Sequence, residues 1–174
     1  MTTLAATDEG SAEGRSGAGV DRSGGMRAAA APPRNRMGIA LSALGGFFVA
    51  TYLLFAKLGL TGPIVCGVGD CGRVQASRWA EILGVPVAAW GVIGYGLLFA
   101  TAMAGLRPAG IADRRIAAAL VAFAAVAFGF SAYLTALEAF VIRAWCQWCV
   151  VSAGLAALIF LLALMELPRL TRSD

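Results

Sequence analysis

Residues 144–165 read AWCQWCVVSAGLAALIFLLALM, and this stretch decides the fold. It carries no charge over more than the roughly 20 residues that a helix needs to cross the hydrocarbon core of a bilayer. Working outward, three further uncharged runs appear: Met37–Ala56, Ile82–Leu106 and Ile116–Leu137. All are rich in Ala, Leu, Val and Phe, with no strand-like alternation of the kind a membrane barrel requires. They also lack the polar outer face that a buried helix of a soluble bundle would show. The whole chain of 174 residues is 59% hydrophobic and 14% charged, too apolar to coat a soluble domain with polar surface. The expected fold is therefore all-α, an integral membrane four-helix bundle.

Charge sets the expected orientation. Arg15, Arg22, Arg27, Arg34 and Arg36 precede the first run, Arg107, Arg114 and Arg115 join the second to the third, and Arg169 and Arg172 follow the fourth. Only Lys57, Arg73, Arg78 and Arg143 fall on the other side. By the positive-inside rule both termini are expected in the cytoplasm. The net charge of +4 thus belongs to helix ends and is no nucleic-acid signal. Residues 1–36 are rich in Gly, Ala, Ser, Arg and Pro and are expected to form a disordered cytoplasmic tail, with a second tail at 168–174. The bundle domain is expected over 37–167. Histidine is absent, so proton chemistry falls to thiols, carboxylates, hydroxyls or a bound ligand.

This topology puts the loop from about Leu58 to Glu81 outside the cytoplasm, with the short segment Ala139–Arg143 on the same side. Within Val74–Leu83, the polar residues Gln75, Arg78 and Glu81 recur every third position, while Trp79, Ile82 and Leu83 share another face. A short helix lying in the interface would satisfy both. Gly84 and Pro86 break that pattern before the second span.

All four cysteines then lie at one face. Cys66 and Cys71 sit in a CGVGDC segment of the loop, and Cys146 and Cys149 form CQWC at the head of the last run. Two close pairs in an oxidising compartment suggest disulfide chemistry. Positions i and i+3 of a helix approach disulfide distance, and the helix N-terminus together with Arg143 favours thiolate. Cys146, nearer the exposed end, is the better candidate for exchange with the loop. Gly67, Gly69 and Gly72 let the loop pair move toward it. Two alternatives stand beside this reading: a zinc site, for which C-x4-C plus CxxC is a poor match, and two purely structural disulfides in a non-catalytic scaffold.

The order of these segments resembles the vitamin K epoxide reductase family, including its bacterial quinone-reducing members. The matching pieces are the loop cysteine pair, the Cys71–Ala80 stretch CGRVQASRWA, the Gly84–Gly91 stretch GVPVAAWG, and CQWC opening the last helix. The resemblance covers nearly all of 37–167. It implies that Cys66 accepts electrons from a separate thioredoxin-like (DsbA-like) protein, Cys71 passes them to Cys146, and Cys149 sits beside a quinone, menaquinone or ubiquinone. Ser77 corresponds to the family's loop serine and is either a contact near the active site or a cap of the interfacial helix. Animal members place an asparagine and a tyrosine where this chain reads Val87-Ala88 and Ala153, so the quinone-reducing role is implied rather than epoxide reduction. A DsbB-type oxidase has the same reaction class but carries its CxxC in the first outer loop, the reverse of the order here. The chain ends eight residues after Glu166, so the thioredoxin-like domain fused to some relatives is expected as a separate protein.

Candidate ring contacts are Trp79 and Trp148 near the cysteines, and Phe128, Ser131, Tyr133 and Tyr95 in the spans. Interfacial anchoring and bundle packing account for such residues equally well. Trp145 and Trp90 belong to the same interfacial set. Glu138, at the outer end of the third span, is expected as a solvated interfacial carboxylate, with a proton-relay role as its alternative. Gly45, Gly46, Gly91, Gly94 and Gly129 are expected to let helices approach closely.

Overall fold

The computed structural model describes residues 34–62 and 64–171. Residues 1–33 of the expected 1–36 tail lie outside them. Four helices are long and apolar enough to cross a bilayer. They are α1 (Arg34–Lys57), α3 (Val87–Leu106), α4 (Arg114–Ala136) and α5 (Gln147–Leu164). The protein is an all-α membrane bundle. Helix α1 packs against α3 and α5, and α4 closes the bundle against α5 and α3. Ile39, Leu98, Leu120 and Ile159 are fully buried at the centre, among alanines small enough to bring the backbones together. Gly46 is one position where nothing larger fits, because a Cβ there would stand 2.3 Å from the Tyr95 ring. Gly91 approaches Ala50 similarly, whereas Gly94 and Gly129 face open space. Outward, Leu41, Phe48, Val126 and Leu161 present the apolar surface that lipid requires.

The helical domain reaches past the expected boundaries at both ends. Helix α1 starts at Arg34, and a short α6 (Leu167–Thr171) follows α5. Arg36, counted in the sequence among the tail's solvated arginines, is completely buried. Its guanidinium pairs with Glu166 at 2.7 Å and donates to the carbonyls of Gly105 at 2.8 Å and Gly110 at 2.9 Å. Asn35 donates to the same carboxylate. These bonds tie the ends of three spans at the pole opposite the cysteines.

The cysteine pole departs most from expectation. No single helix covers Val74–Leu83. Helix α2 runs from Cys71 to Ala76, begun three residues early because the Asp70 carboxylate caps the Arg73 N–H at 2.9 Å. Ser77 is extended, a 3-10 turn follows at Arg78–Ala80, and the chain then forms a two-stranded hairpin, β1 (Glu81–Ile82) with β2 (Val85–Pro86). Leu83 and Gly84 both have positive φ, 55° and 75°, which is what a two-residue hairpin turn demands. The three-residue polar spacing was read as a helix, but the turn chemistry prevails. Likewise α4 does not end in a free loop. It continues as a wide π turn, Leu137–Ile142, that stops at Arg143 in the left-handed region (φ 53°). Residues 144–146 are extended rather than helical, so α5 begins at Gln147 with Cys146 as its N-cap.

Candidate functional site

The loop disulfide and the CxxC thiols meet at one pole of the bundle. Cys66 and Cys71 are joined by a disulfide with Cα atoms 6.1 Å apart, while Cys146 and Cys149 are free thiols. Cys71 and Cys146 are both fully buried and pack in one cluster with Val74 and Ala144, with Cys66, Trp148 and Cys149 at its edge. The more accessible sulfur of the loop pair is Cys66.

Backbone geometry holds the loop there. Gly69 pairs with Cys146 as an isolated antiparallel bridge, and the Asp70 N–H donates to the Trp145 carbonyl at 2.9 Å. Gly69 has φ 91°, and a Cβ on it would lie 2.3 Å from that carbonyl oxygen. Only glycine satisfies both conditions. The two residues between the CxxC cysteines supply the rest of the grip. Gln147 Oε1 accepts the N–H groups of Gly67 and Val68, each at 3.1 Å, and Trp148 Nε1 donates to the Val65 carbonyl at 3.0 Å. Tyr52 of α1 packs on the Trp148 ring and accepts the Val65 N–H at 3.1 Å. Lys57 adds a bond to the Gln75 carbonyl at 2.8 Å and a half-exposed pair with Glu81 at 3.1 Å. An exposed pair of this kind contributes at most about 1 kcal/mol.

Beneath the loop lies a cavity of about 560 Å³, well within the size range of small-molecule sites. Its roof is the irregular 74–82 segment, including Ser77 and Trp79. Its walls come from α1, α3, α4 and α5. They are overwhelmingly apolar, with a few polar groups such as Gln75, Tyr95, Ser131 and Glu138. Lining residues Trp90, Ile93 and Val126 are also exposed on the outer surface, so the cavity opens sideways between α3 and α4. Of the four cysteines, Cys149 alone lines it.

The structure sorts the candidate contacts. Ser77 and Trp79 line the cavity, as do Tyr95, Ser131 and Trp90. The Ser77 hydroxyl also donates to the Val74 carbonyl at 2.7 Å, closing α2, so both readings of this serine hold geometrically. Trp148 is not in the wall; its indole is committed to the loop. Phe128 stacks on Phe160 of α5 at 4.9 Å and lines a second pocket, between α4 and α5. Tyr133 lines neither pocket and is half exposed. Phe128 is turned toward α5, just beyond the edge of the cavity wall, and Tyr133 lies on a face outside that wall.

Glu138 is the residue that sequence reading placed wrongly. It is not solvated: the π turn folds it inward, where it is only 3% exposed, lines the cavity and accepts the Cys146 N–H at 3.1 Å. Cys149 lines the same cavity and feels both the Cys146 sulfur and this carboxylate electrostatically. Signals for it existed: it is the one acidic residue at the edge of two apolar runs, eight positions before a CxxC. Gln147 was missed because nothing in a CxxC motif marks which intervening residue turns toward the partner loop.

Electrostatics favour the thiolate form at Cys146. Its pKa is held below that of an ordinary thiol, first by the Cys149 thiol donating to it, and further by the Cys149 and Trp148 N–H groups in the first turn of α5. Burial and the negative charge of Glu138 oppose this without reversing it. Arg143, expected to assist, takes no part.

Residues 37–164, all four cysteines included, match the model of the Vitamin K epoxide reductase family. The chain belongs to that family.

Proposed function

We propose that this member of the vitamin K epoxide reductase family oxidises the dithiol of a separate thioredoxin-like (DsbA-like) protein and passes the electrons to a membrane quinone, menaquinone or ubiquinone. Family membership and the cysteine disulfide support thiol–disulfide oxidoreductase activity in a multi-pass membrane protein. The quinone, the partner and the extracytoplasmic placement are our reading.

The observation that carries it is the double position of Cys149, which belongs to the sulfur cluster and to the cavity wall. An apolar cavity open to the surrounding lipid, with a few polar groups and a thiol in its wall, suits a lipid-soluble ring better than a water-soluble substrate. The 74–82 roof and the α3–α4 walls would hold such a ring, which supplies a two-electron, two-proton acceptor.

The cysteines do the rest by exchange. A partner thiolate attacks Cys66, breaking the Cys66–Cys71 bond and releasing Cys71 as a thiolate. The second partner thiol closes its own disulfide and frees Cys66. When Cys146 and Cys149 are joined, the Cys71 thiolate attacks Cys146, and Cys149 leaves. Cys66 then attacks Cys71, restoring the loop disulfide and freeing Cys146. The result is a closed loop disulfide above a CxxC dithiol, the arrangement found here. Re-closure of Cys146–Cys149 then delivers two electrons into the cavity. The count of ten basic residues on the terminal side against four on the other supports termini in the cytoplasm.

The test is anaerobic mixing of purified protein with a reduced thioredoxin-like dithiol protein and a quinone. Quinol is expected with the wild type and none with Cys149→Ala. Undiminished turnover in Cys149→Ala would reject the mechanism.

A further inference from the structure

Building on that reading, we infer that Glu138 is the proton carrier of the CxxC thiols, moving their protons into the cavity as electrons leave. Reduction of a quinone needs two protons as well as two electrons, and both thiols are shielded from bulk water by the loop. The π turn aims one carboxylate at the junction: Glu138 accepts the Cys146 N–H at 3.1 Å, and it lines the same cavity as Cys149. A π turn in place of an ordinary helix end is what directs this side chain inward rather than to the surface. A carboxylate buried at this depth is costly unless it serves the site.

Other groups facing the carboxylate do not fill this role. From α5 it meets Cys146 and Cys149. Among the described residues lining the cavity, the other titratable group is Tyr95, on α3, whose hydroxyl is tied to the Ser152 carbonyl at 2.7 Å and its Oγ at 2.9 Å. The roof contributes the neutral Gln75 and Ser77.

The balance closes. The Cys149 proton passes to the Glu138 carboxylate and on to an oxygen of the acceptor in the cavity. Once Cys149 has given up its proton, the sulfur–sulfur contact can reverse, and the Cys146 proton crosses to Cys149 and takes the same route. The S–H bonds of two thiols break, one S–S bond forms, two electrons and two protons reach the acceptor, and Glu138 ends as it began.

The experiment separates electron intake from electron delivery in single turnovers, each measured for the wild type, Glu138→Gln and Glu138→Asp. Gln keeps an acceptor for the Cys146 N–H but cannot carry a proton. Quinol formation by Glu138→Gln is expected to fall about 100-fold or more, the usual worth of a positioned acid–base group. Reduction of its CxxC by the partner should fall less than about 5-fold on the same scale. Asp should recover at least about 10-fold over Gln. Quinol formation by Gln at the wild-type rate overturns the inference while leaving the proposed function intact. Equal slowing of both half-reactions with no recovery in Asp makes the residue structural and also overturns it. Failure of the wild type to form quinol removes both. Should Glu138→Gln not fold, the solvent deuterium effect on wild-type quinol formation decides: a slower rate in heavy water supports a carried proton, and equal rates overturn the inference.

Discussion

Gly69→Ala should unlatch the loop from the CxxC without touching a sulfur. Alanine must either hold φ near 91° or abandon the turn, and left-handed backbone of this kind costs a non-glycine residue about 1–3 kcal/mol. The new Cβ would stand 2.3 Å from the Trp145 carbonyl oxygen, so the strands must part by about an ångström to restore van der Waals contact. That separation breaks the 2.9 Å bond from the Asp70 N–H, worth a further 0.5–1.5 kcal/mol, roughly. Together the docked loop loses about 2–4 kcal/mol, or about 30- to 900-fold in its opening equilibrium. Cys146 reports that equilibrium directly, because it is 0% exposed beneath the docked loop and reacts only when the loop opens. The assay follows maleimide labelling of the Cys146 peptide by mass spectrometry, in a Cys149→Ala background that keeps the loop disulfide. Gly69→Ala should label at least about 30-fold faster, up to the ceiling set by the fully open loop. Gly67→Ala is the comparator. Its Cβ would meet a movable side-chain atom, Gln147 Oε1, at 3.1 Å, and its labelling should change by less than about 3-fold. Equal rates for Gly69→Ala and the parent would refute the latch.

Three further outcomes follow from the same geometry. Trp148→Phe keeps the ring against Tyr52 but loses the 3.0 Å bond to Val65, so Cys146 labelling should rise about 2- to 10-fold. In the reduced protein, the thiolate absorbance of Cys146 should titrate below the ordinary thiol range, and Cys149→Ala should move it up by removing the donor that contributes most. Because the folded pKa is depressed, the matching stability of the reduced form is present above the ordinary thiol pKa and is lost as pH falls through the lowered one. At the opposite pole, Arg36→Ala takes the guanidinium from the buried Glu166 carboxylate and should cost about 3–5 kcal/mol in denaturant unfolding, whereas Arg36→Met with Glu166→Leu should recover most of it.

The bundle was legible because bilayer thickness acts on composition alone: four uncharged runs suffice, and no tertiary detail alters them. Their ends were less legible. Arg36 looked like a solvated tail residue because a charge rule counts arginines without asking what Glu166 and two glycine carbonyls offer them. The 74–83 segment misled because a three-residue polar period suits several local structures, and the Leu83–Gly84 turn selects the hairpin. The sulfur pairs were legible from spacing, yet the groups that hold them were not. Gly69 was read as flexible, whereas its positive φ and its contact with Trp145 make it a fixed point. Phe128 and Tyr133 were plausible ring contacts on identity alone, and only the rotation of α4 excludes them from the cavity.

A relay of this kind has to keep its incoming and outgoing partners apart, and the first turn of α5 does so by helical geometry. Cys146 at the N-cap lies under the loop, where a disulfide can reach it. Gln147 and Trp148, turned through about 100° and 200° from it, grip that loop by its backbone. Cys149 comes around nearly one full turn later, close enough to Cys146 for a hydrogen bond yet opening onto the cavity instead of the loop. Four consecutive residues therefore face two places, the loop disulfide and the apolar cavity. Neither loop cysteine lines the cavity, so no ring held there can take electrons from Cys66 or Cys71 directly. In the proposed relay, electrons entering at the loop would have one covalent route to the cavity, through a bond between Cys146 and Cys149. A CxxC displaced by a single residue along the helix would rotate Cys149 out of that wall, and the two halves of the reaction would lose their only shared atom.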